Sequence, residues 1–253
     1  MTDAYKPDVL AGKRALVTGG ARGIGEATVR QLAAMGAELV IADLNLELAE
    51  TVAKDLVANG TKASAVSVDL TDRAATLAFG RDVGSLDILV NNAGPPQTNA
   101  PFMEIPDSEW ELQFAVIMWA PLILTREIGK RMAENGSGAI VNITSMAARN
   151  PVPFVAPYAA AKAALEIITR VTASELGPKG VRANAVAPTF VPTERNRPSW
   201  ARLGVTEEDA RTGRGGTMAT TGDVADVVAW LCSPASHYLS GQTLYVDRGG
   251  APR

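Results

Sequence analysis

Along the chain, short apolar and β-branched blocks alternate with longer amphipathic stretches. The blocks Arg14–Thr18, Glu38–Ala42, Lys62–Val68, Leu86–Asn91, Ala139–Thr144, Val181–Ala187 and Thr243–Val246 are of strand length and predict seven strands. Between them, Gly23–Met35, Leu46–Ala58, Glu109–Glu134, Tyr158–Leu176 and Asp223–Leu231 repeat apolar residues at helical spacing, and a shorter helical stretch runs from Asp72 to Val83. Strands that alternate with helices predict an α/β fold, a doubly wound parallel sheet of about seven strands with helices on both faces. No linker, low-complexity segment or repeat of fixed period divides the chain, so residues 1–253 are read as a single domain. One long stretch, Pro188 to Gly222, is irregular and rich in Pro, Gly, Thr and Arg. It leaves the end of the sixth strand, where open α/β sheets bind ligands, and long loops in such places serve as lids. A substrate lid is therefore expected over about 189–221.

Composition narrows the chemistry. A formal net charge of -3 with interspersed signs offers no basic footprint for nucleic acid or an anionic membrane. No basic start precedes an apolar run at the N-terminus and no segment approaches 18 uninterrupted apolar residues, so a soluble, cytoplasmic protein is expected. Cys232 is the only cysteine and His237 the only histidine, which rules out an internal disulfide and a Cys/His metal cluster; no metal is expected. His237 stands in Ser-Pro-Ala-Ser-His-Tyr-Leu-Ser-Gly, a turn-like setting that favours a structural role over that of a hydrolase base.

The first strand runs into Thr18-Gly19-Gly20-Ala21-Arg22-Gly23-Ile24-Gly25 at the head of a helix. Glycines at this junction let backbone N–H groups approach a pyrophosphate at the positive helix end. The second strand leads to Asp43, where a carboxylate can accept hydrogen bonds from both hydroxyls of an adenosine ribose. A 2′-phosphate there meets like charge, a repulsion of several kcal/mol at ~4 Å and an effective dielectric of ~20. NAD is thus the expected cofactor, with NADP as the alternative because Arg22 can pair with that phosphate.

The Gly-x-x-x-Gly-x-Gly spacing resembles that of the short-chain dehydrogenase/reductase family, and further motifs follow in register from Leu10 to Gly250. Asn91-Asn92-Ala93-Gly94 resembles the family motif that ends strand four, and Asp69-Leu70 its adenine-contacting pair. Pro188 to Thr193 resembles the segment that holds the nicotinamide amide through the Val191 backbone and the Thr193 hydroxyl, with Thr189 in place of the usual Gly. Tyr158 and Lys162 lie four apart on one helical face, and Ser145 precedes Tyr158 by the thirteen residues usual in the family.

The resemblance implies a Rossmann-type fold and hydride transfer between NAD(H) and a small-molecule secondary alcohol or ketone. It implies that Tyr158 is the general acid/base, that Ser145 holds the substrate oxygen, and that Lys162 stabilises the phenolate and binds the nicotinamide ribose. Cofactor contacts are implied for Gly19, Arg22, Gly23, Ile24, Gly25, Asp43, Leu44, Asp69, Leu70, Asn91, Ala93, Gly94, Pro188, Val191 and Thr193, besides Tyr158 and Lys162. A homo-oligomer, tetramer or dimer, is implied as well, although Arg248 replaces a usual Gly near the C-terminal interface.

One position departs from the pattern. The Asn that usually lies fifteen residues before the Met found here as Met132 is Ile117, which cannot hydrogen-bond. Gln113, one turn earlier on the same face, is the candidate replacement, and Pro121 removes a helical N–H and predicts a kink nearby. Two other functions stay open. An NADPH-dependent 3-oxoacyl carrier-protein reductase is favoured by Arg22, Arg126 and Arg131, and a non-catalytic dinucleotide-binding protein only by Ile117. Substrate-lining segments are expected at Pro95–Phe102, Met146–Pro157 and Phe190–Gly216, with Trp200, Arg149, Arg195 and Arg197 among them.

Overall fold

A computed structural model describes residues 8–249 except Pro151, 200–203 and 213–217. Its strands are β1 (Arg14–Thr18), β2 (Glu38–Asp43), β3 (Ala63–Ser67), β4 (Ile88–Asn91), β5 (Gly138–Ile143), β6 (Val181–Pro188) and β7 (Thr243–Val246). They form one sheet in the order β3-β2-β1-β4-β5-β6-β7, parallel at every pairing. The helices are α1 (Gly23–Ala34), α2 (Leu46–Ala58), α3 (Arg73–Asp82), α4 (Asp107–Phe114), α5 (Ala120–Glu134), α6 (Ala156–Leu176), α7 (Glu207–Thr212) and α8 (Thr221–Cys232).

Side chains alternate across the strands and build a core on each face. Ala15, Val17, Ile88, Val90, Ala139 and Val141 join α1 and α8 on one side. Leu16, Leu89 and Ile140 meet Leu124, Ile128 and Met132 of α5 on the other. The run Asp107–Glu134 matches a membrane span in length and composition, but half of its apolar window is buried inside the fold, as in a core helix. The thiol of Cys232 on α8 is buried, which pushes its pKa up to about 12 and leaves it unreactive.

Two sequence expectations need correction. The helix expected over 109–134 is two helices joined by a π-helical turn, Ala115–Trp119, in which the Ala120 N–H reaches back five residues to the Ala115 carbonyl. Pro121 accounts for the break: it has no N–H to donate to the Ile117 carbonyl four residues before it, so the α-helical ladder cannot run through. The stretch after β6 is not wholly irregular, since it holds a 3₁₀ segment, Glu194–Ser199, and the short helix α7. Trp200 and the side chain of Arg195 lie outside the described residues. Thr189, where the family has Gly, simply continues the ladder by donating to the Val246 carbonyl at 3.0 Å.

The chain builds outward from β1 to β3 and then returns to place β4 on the other side of β1. Loops leaving neighbouring strands in opposite directions open a crevice at that point. Asn45 caps α2, Asp72 caps α3 and Thr220 with Asp223 caps α8, whereas α1, which faces the crevice, has no side-chain cap, as is also true of α4, α5 and α6. The N-terminal turn of α1 is left able to bind an anion.

Candidate active site

A cavity of about 330 Å³ lies along the C-terminal strand edges, within the usual range for small-molecule sites. The glycine loop after β1 supplies Gly19, Arg22, Gly23, Ile24 and Gly25 to its lining. Asp43 and Leu44 come from the end of β2, Asp69 and Leu70 from the loop after β3, Ala93 and Gly94 from the loop after β4. Tyr158 and Lys162 come from α6, and Thr193 from the segment after β6. Fourteen residues expected at the site from sequence are thereby gathered into one space.

The glycine loop fits a dinucleotide because nothing larger fits in its place. A Cβ on Gly25 would lie 1.9 Å from the Gly19 carbonyl oxygen, and one on Gly19 would lie 2.9 Å from the Ala93 Cα. Gly19 and Gly23 have φ of +63° and +59°, where side chains are disfavoured. A side-chain-free cradle at an uncapped helix start is what a pyrophosphate requires. The cradle is stitched to the opposite wall by Asn92, whose Nδ2 donates to the Thr18 and Gly19 carbonyls at 3.0 and 2.9 Å. The Thr18 hydroxyl in turn accepts from the Asn92 and Ala93 N–H groups.

Asp43 is held by the backbone. One carboxylate oxygen accepts from the Ala21 N–H at 3.1 Å and the other from the Asn45 N–H at 3.0 Å. Asp69 turns onto its own loop, where the hydroxyl and then the N–H of Thr71 hold its carboxyl below the usual value.

Four expected residues stand outside the lining. Asn91 is buried and gives its Nδ2 to Asn142 Oδ1 at 2.8 Å, and Asn142 continues to the Thr169 hydroxyl, so this amide chain braces β4, β5 and α6. Strand alternation explains the difference: Asn91 is the last strand residue and points into the layer, whereas Asn92, not singled out from sequence, is the first to turn toward the cavity. Val191 belongs to the core, and Asn196 staples its segment by bonding the Val191 carbonyl and the Thr193 N–H. Pro188 ends β6. Ser145 follows β5, half-buried, with its hydroxyl accepting from the Ala147 N–H at 3.2 Å. Its neighbour Thr144 is buried and donates to the Val186 carbonyl instead.

The α6 helix carries the titratable groups. Lys162 is buried, with its Nζ donating to the Ile143 carbonyl at 2.6 Å and lying 5.6 Å from the Tyr158 ring centroid. The Tyr158 ring and Phe114 rest on a small cluster of Ile117, Ala161 and Leu165. Ile117 therefore fills with hydrocarbon the place where the family has an amide. Gln113 does not turn toward Lys162: its Nε2 donates to the Pro96 carbonyl at 2.8 Å and to Glu109 at 2.9 Å. Arg131, considered above for a carrier protein, donates to the Gly80 and Gly84 carbonyls.

Glu166, one turn beyond Lys162, gave no signal in the sequence. It is buried and its Oε1 lacks a partner. Burial pushes its carboxyl above the usual value of 4.5, against the opposing pull of Arg170, Arg149 and the Thr144 hydroxyl. A raised folded-state pKa means that the protonated form favours folding. That contribution is complete below the unfolded value and is lost as pH rises through the folded one. Glu166→Gln is expected to raise the thermal midpoint at about pH 8 and to leave it nearly unchanged at about pH 4. Thermal unfolding at the two pH values measures this, and a destabilised variant at the higher pH would contradict it.

Comparison with known proteins agrees with this geometry. The family model described as Enoyl-(Acyl carrier protein) reductase matches residues 19–250. The chain is 34% identical over 249 residues to the gluconate 5-dehydrogenase of Gluconobacter oxydans, covering 96% of this chain and 97% of that protein. It is 35% identical over 246 residues to the D-threitol dehydrogenase of Mycolicibacterium smegmatis, covering 95% and 93%. A solved structure from Beutenbergia cavernae, a candidate NAD(P)-dependent gluconate 5-dehydrogenase with NADP bound at low occupancy, matches with a TM-score of 0.89 at 34% identity, over 96% of this chain and 98% of the other.

Proposed function

The chain belongs to the short-chain dehydrogenase/reductase family and is an NAD(P)-dependent oxidoreductase of secondary alcohols or ketones; within that activity we propose that Tyr158, Lys162 and Ser145 do the chemistry and that NAD(H) is the preferred cofactor. The observation that carries the reading is the shared cavity: glycine cradle, Asp43, Tyr158 and Lys162 line one continuous space.

A nicotinamide dinucleotide, when bound, supplies the hydride acceptor or donor. What the chain must do is move one proton at the substrate oxygen and exclude water while it moves. Tyr158 is the group assigned to that proton, and His237 is not among the residues that line the cavity. Its Oη gives a proton to a forming alkoxide or takes one from an alcohol. Lys162, anchored on the Ile143 carbonyl, holds its positive charge beside the ring. Ser145, at the mouth of β5, orients the substrate oxygen. Gly19, Gly23, Ile24 and Gly25 hold the pyrophosphate, Asp43 the adenosine ribose, and Leu70 with Asp69 the adenine side. Thr193 and Val191 hold the nicotinamide amide, with Lys162 on its ribose. The same reading takes the chain as one catalytic domain with a lid over about 189–221, in a cytoplasmic homo-oligomer. Exposed Ile167 and Val171 on α6 are apolar positions that a second copy would cover.

Asp43 supports the NAD preference, because its carboxylate is locked in place by two backbone N–H groups and cannot swing away from a 2′-phosphate. Rates with NAD and NADP in parallel test the whole reading. The wild type is expected to favour NAD in kcat/KM, and Asp43→Ser is expected to shift the ratio toward NADP by about 10-fold or more, with Arg22 assisting. A wild type that already prefers NADP overturns the assignment of Asp43.

A further inference from the structure

The relatives named for gluconate and threitol act on strongly polar compounds, but the loops that flank the cavity here carry an exposed apolar rim, Phe102, Met103 and Phe154. Resting on the oxidoreductase reading above, we propose that the substrate is an uncharged ketone or secondary alcohol carrying an alkyl or aryl group, recognised by Phe102, Met103 and Phe154.

Phe102, Met103 and Phe154 are 65%, 90% and 52% exposed. They stand on the two loops that flank the site, the loop after β4 and the loop before α6, and these are joined by a bond from the Ala100 N–H to the Phe154 carbonyl at 3.2 Å. Aromatic contacts lead inward from this rim. Phe102 meets Trp110 edge-on at 6.3 Å, Trp110 meets Phe114 at 6.3 Å, and Phe114 shares its supporting cluster with the Tyr158 ring. The cavity lining includes apolar Pro95, Pro96, Leu112 and Val116 besides Tyr158.

Two features make this rim a built surface. Phe154 has a φ of +73°, a conformation costly for a bulky residue and characteristic of functional loops. The loop after β4 is held by a buried clamp on α4: Glu109 Oε1 accepts from the Thr98 N–H at 3.1 Å and from Gln113 Nε2, which also grips the Pro96 carbonyl. A polar pair that is 7% and 0% exposed thus fixes the wall whose outer side is apolar.

Charge points the same way. Among the described lining residues the cations are Arg22, in the glycine loop, and Lys162, bonded to the Ile143 carbonyl. Arg149 donates to the Tyr245 hydroxyl, and Arg197 pairs with Glu194 and Glu207. Neither Arg149 nor Arg197 lines the cavity, whereas Glu194, paired with Arg197, does.

The test is a homologous series of 2-alkanones, from 2-butanone to 2-octanone, against 5-ketogluconate and L-xylulose, each with NADH and NADPH. kcat/KM should rise about 2- to 4-fold per added methylene, and the longer ketones should exceed both keto sugars by about 10-fold or more. Phe102→Ser and Phe154→Gly should flatten that rise, and the second variant relieves the positive φ, so it should keep its thermal midpoint. A flat or falling series, faster turnover of either keto sugar, or an unchanged slope in both variants overturns the proposal. In those cases measurable turnover leaves the oxidoreductase reading intact; no turnover of any compound with either cofactor overturns that reading and the proposal together.

Discussion

Tyr158→Phe should abolish most turnover while leaving the cofactor bound. The ring lies against Ile117, Ala161 and Leu165, contacts that a phenyl group keeps, so the fold should be undisturbed. The group removed is the phenolic oxygen alone. His237 is outside the cavity, and the carboxylates that line it sit near the adenosine end or on the segment after β6. No other described lining group is set to give a proton to a forming alkoxide. The rate should fall by the ~10²–10⁴-fold that a positioned acid/base contributes. Affinity for reduced cofactor, read by fluorescence titration, should stay close to that of the wild type, because the glycine cradle, Asp43 and Lys162 are untouched. Lys162→Met should behave differently and weaken both, since it removes the cation beside the ring and strands the Ile143 carbonyl. A folded Tyr158→Phe enzyme with near-normal turnover would move the chemistry elsewhere.

Most of this architecture was legible because it depends on periodicity. The seven strands lie at the expected positions within two residues at either end, and period-two alternation put Leu16, Leu89 and Ile140 on one face and their neighbours on the other. Glycine spacing and the Tyr158 to Lys162 interval are also local, and the cavity gathers both. What escaped depends on contacts between distant segments. Glu109 and Gln113 look like ordinary helix-face polar residues until the loop carrying Pro96 and Thr98 folds over them. Glu166 reads as a solvent-facing charge, although Thr144 and the buried side of α6 enclose it. The π turn could be anticipated only as a disturbance near Pro121, because how a helix absorbs a missing N–H depends on what it packs against. Here that partner is α6, which takes Ile117 into its apolar cluster.

Gly25→Ala should cost more cofactor affinity than any comparably small change in the chain. An added methyl would lie 1.9 Å from the Gly19 carbonyl oxygen, 2.8 Å from its carbon and 2.5 Å from Asn92 Nδ2. The first two are backbone atoms and cannot turn aside. The third belongs to the side chain that ties the Thr18 and Gly19 carbonyls to the loop after β4. Accommodating the methyl therefore means moving the glycine loop outward, breaking those two bonds, or both. Either response carries the loop N–H groups away from the pyrophosphate position and loosens the wall beside Ala93. The sheet beneath need not follow, because β1 is held by its ladders to β2 and β4. Stability should drop by about 1–3 kcal/mol, as in other overpacked sites, whereas affinity for the dinucleotide should fall by about 100-fold or more, the loss of two or more charge-assisted bonds. Gly177→Ala is the matched control: Gly177 has a helical φ of -54° and nothing within 4 Å of an added Cβ, so its affinity should equal that of the wild type. If Gly25→Ala binds the reduced cofactor as tightly as Gly177→Ala, the cradle is not the pyrophosphate site and the dinucleotide must lie elsewhere along the strand edges.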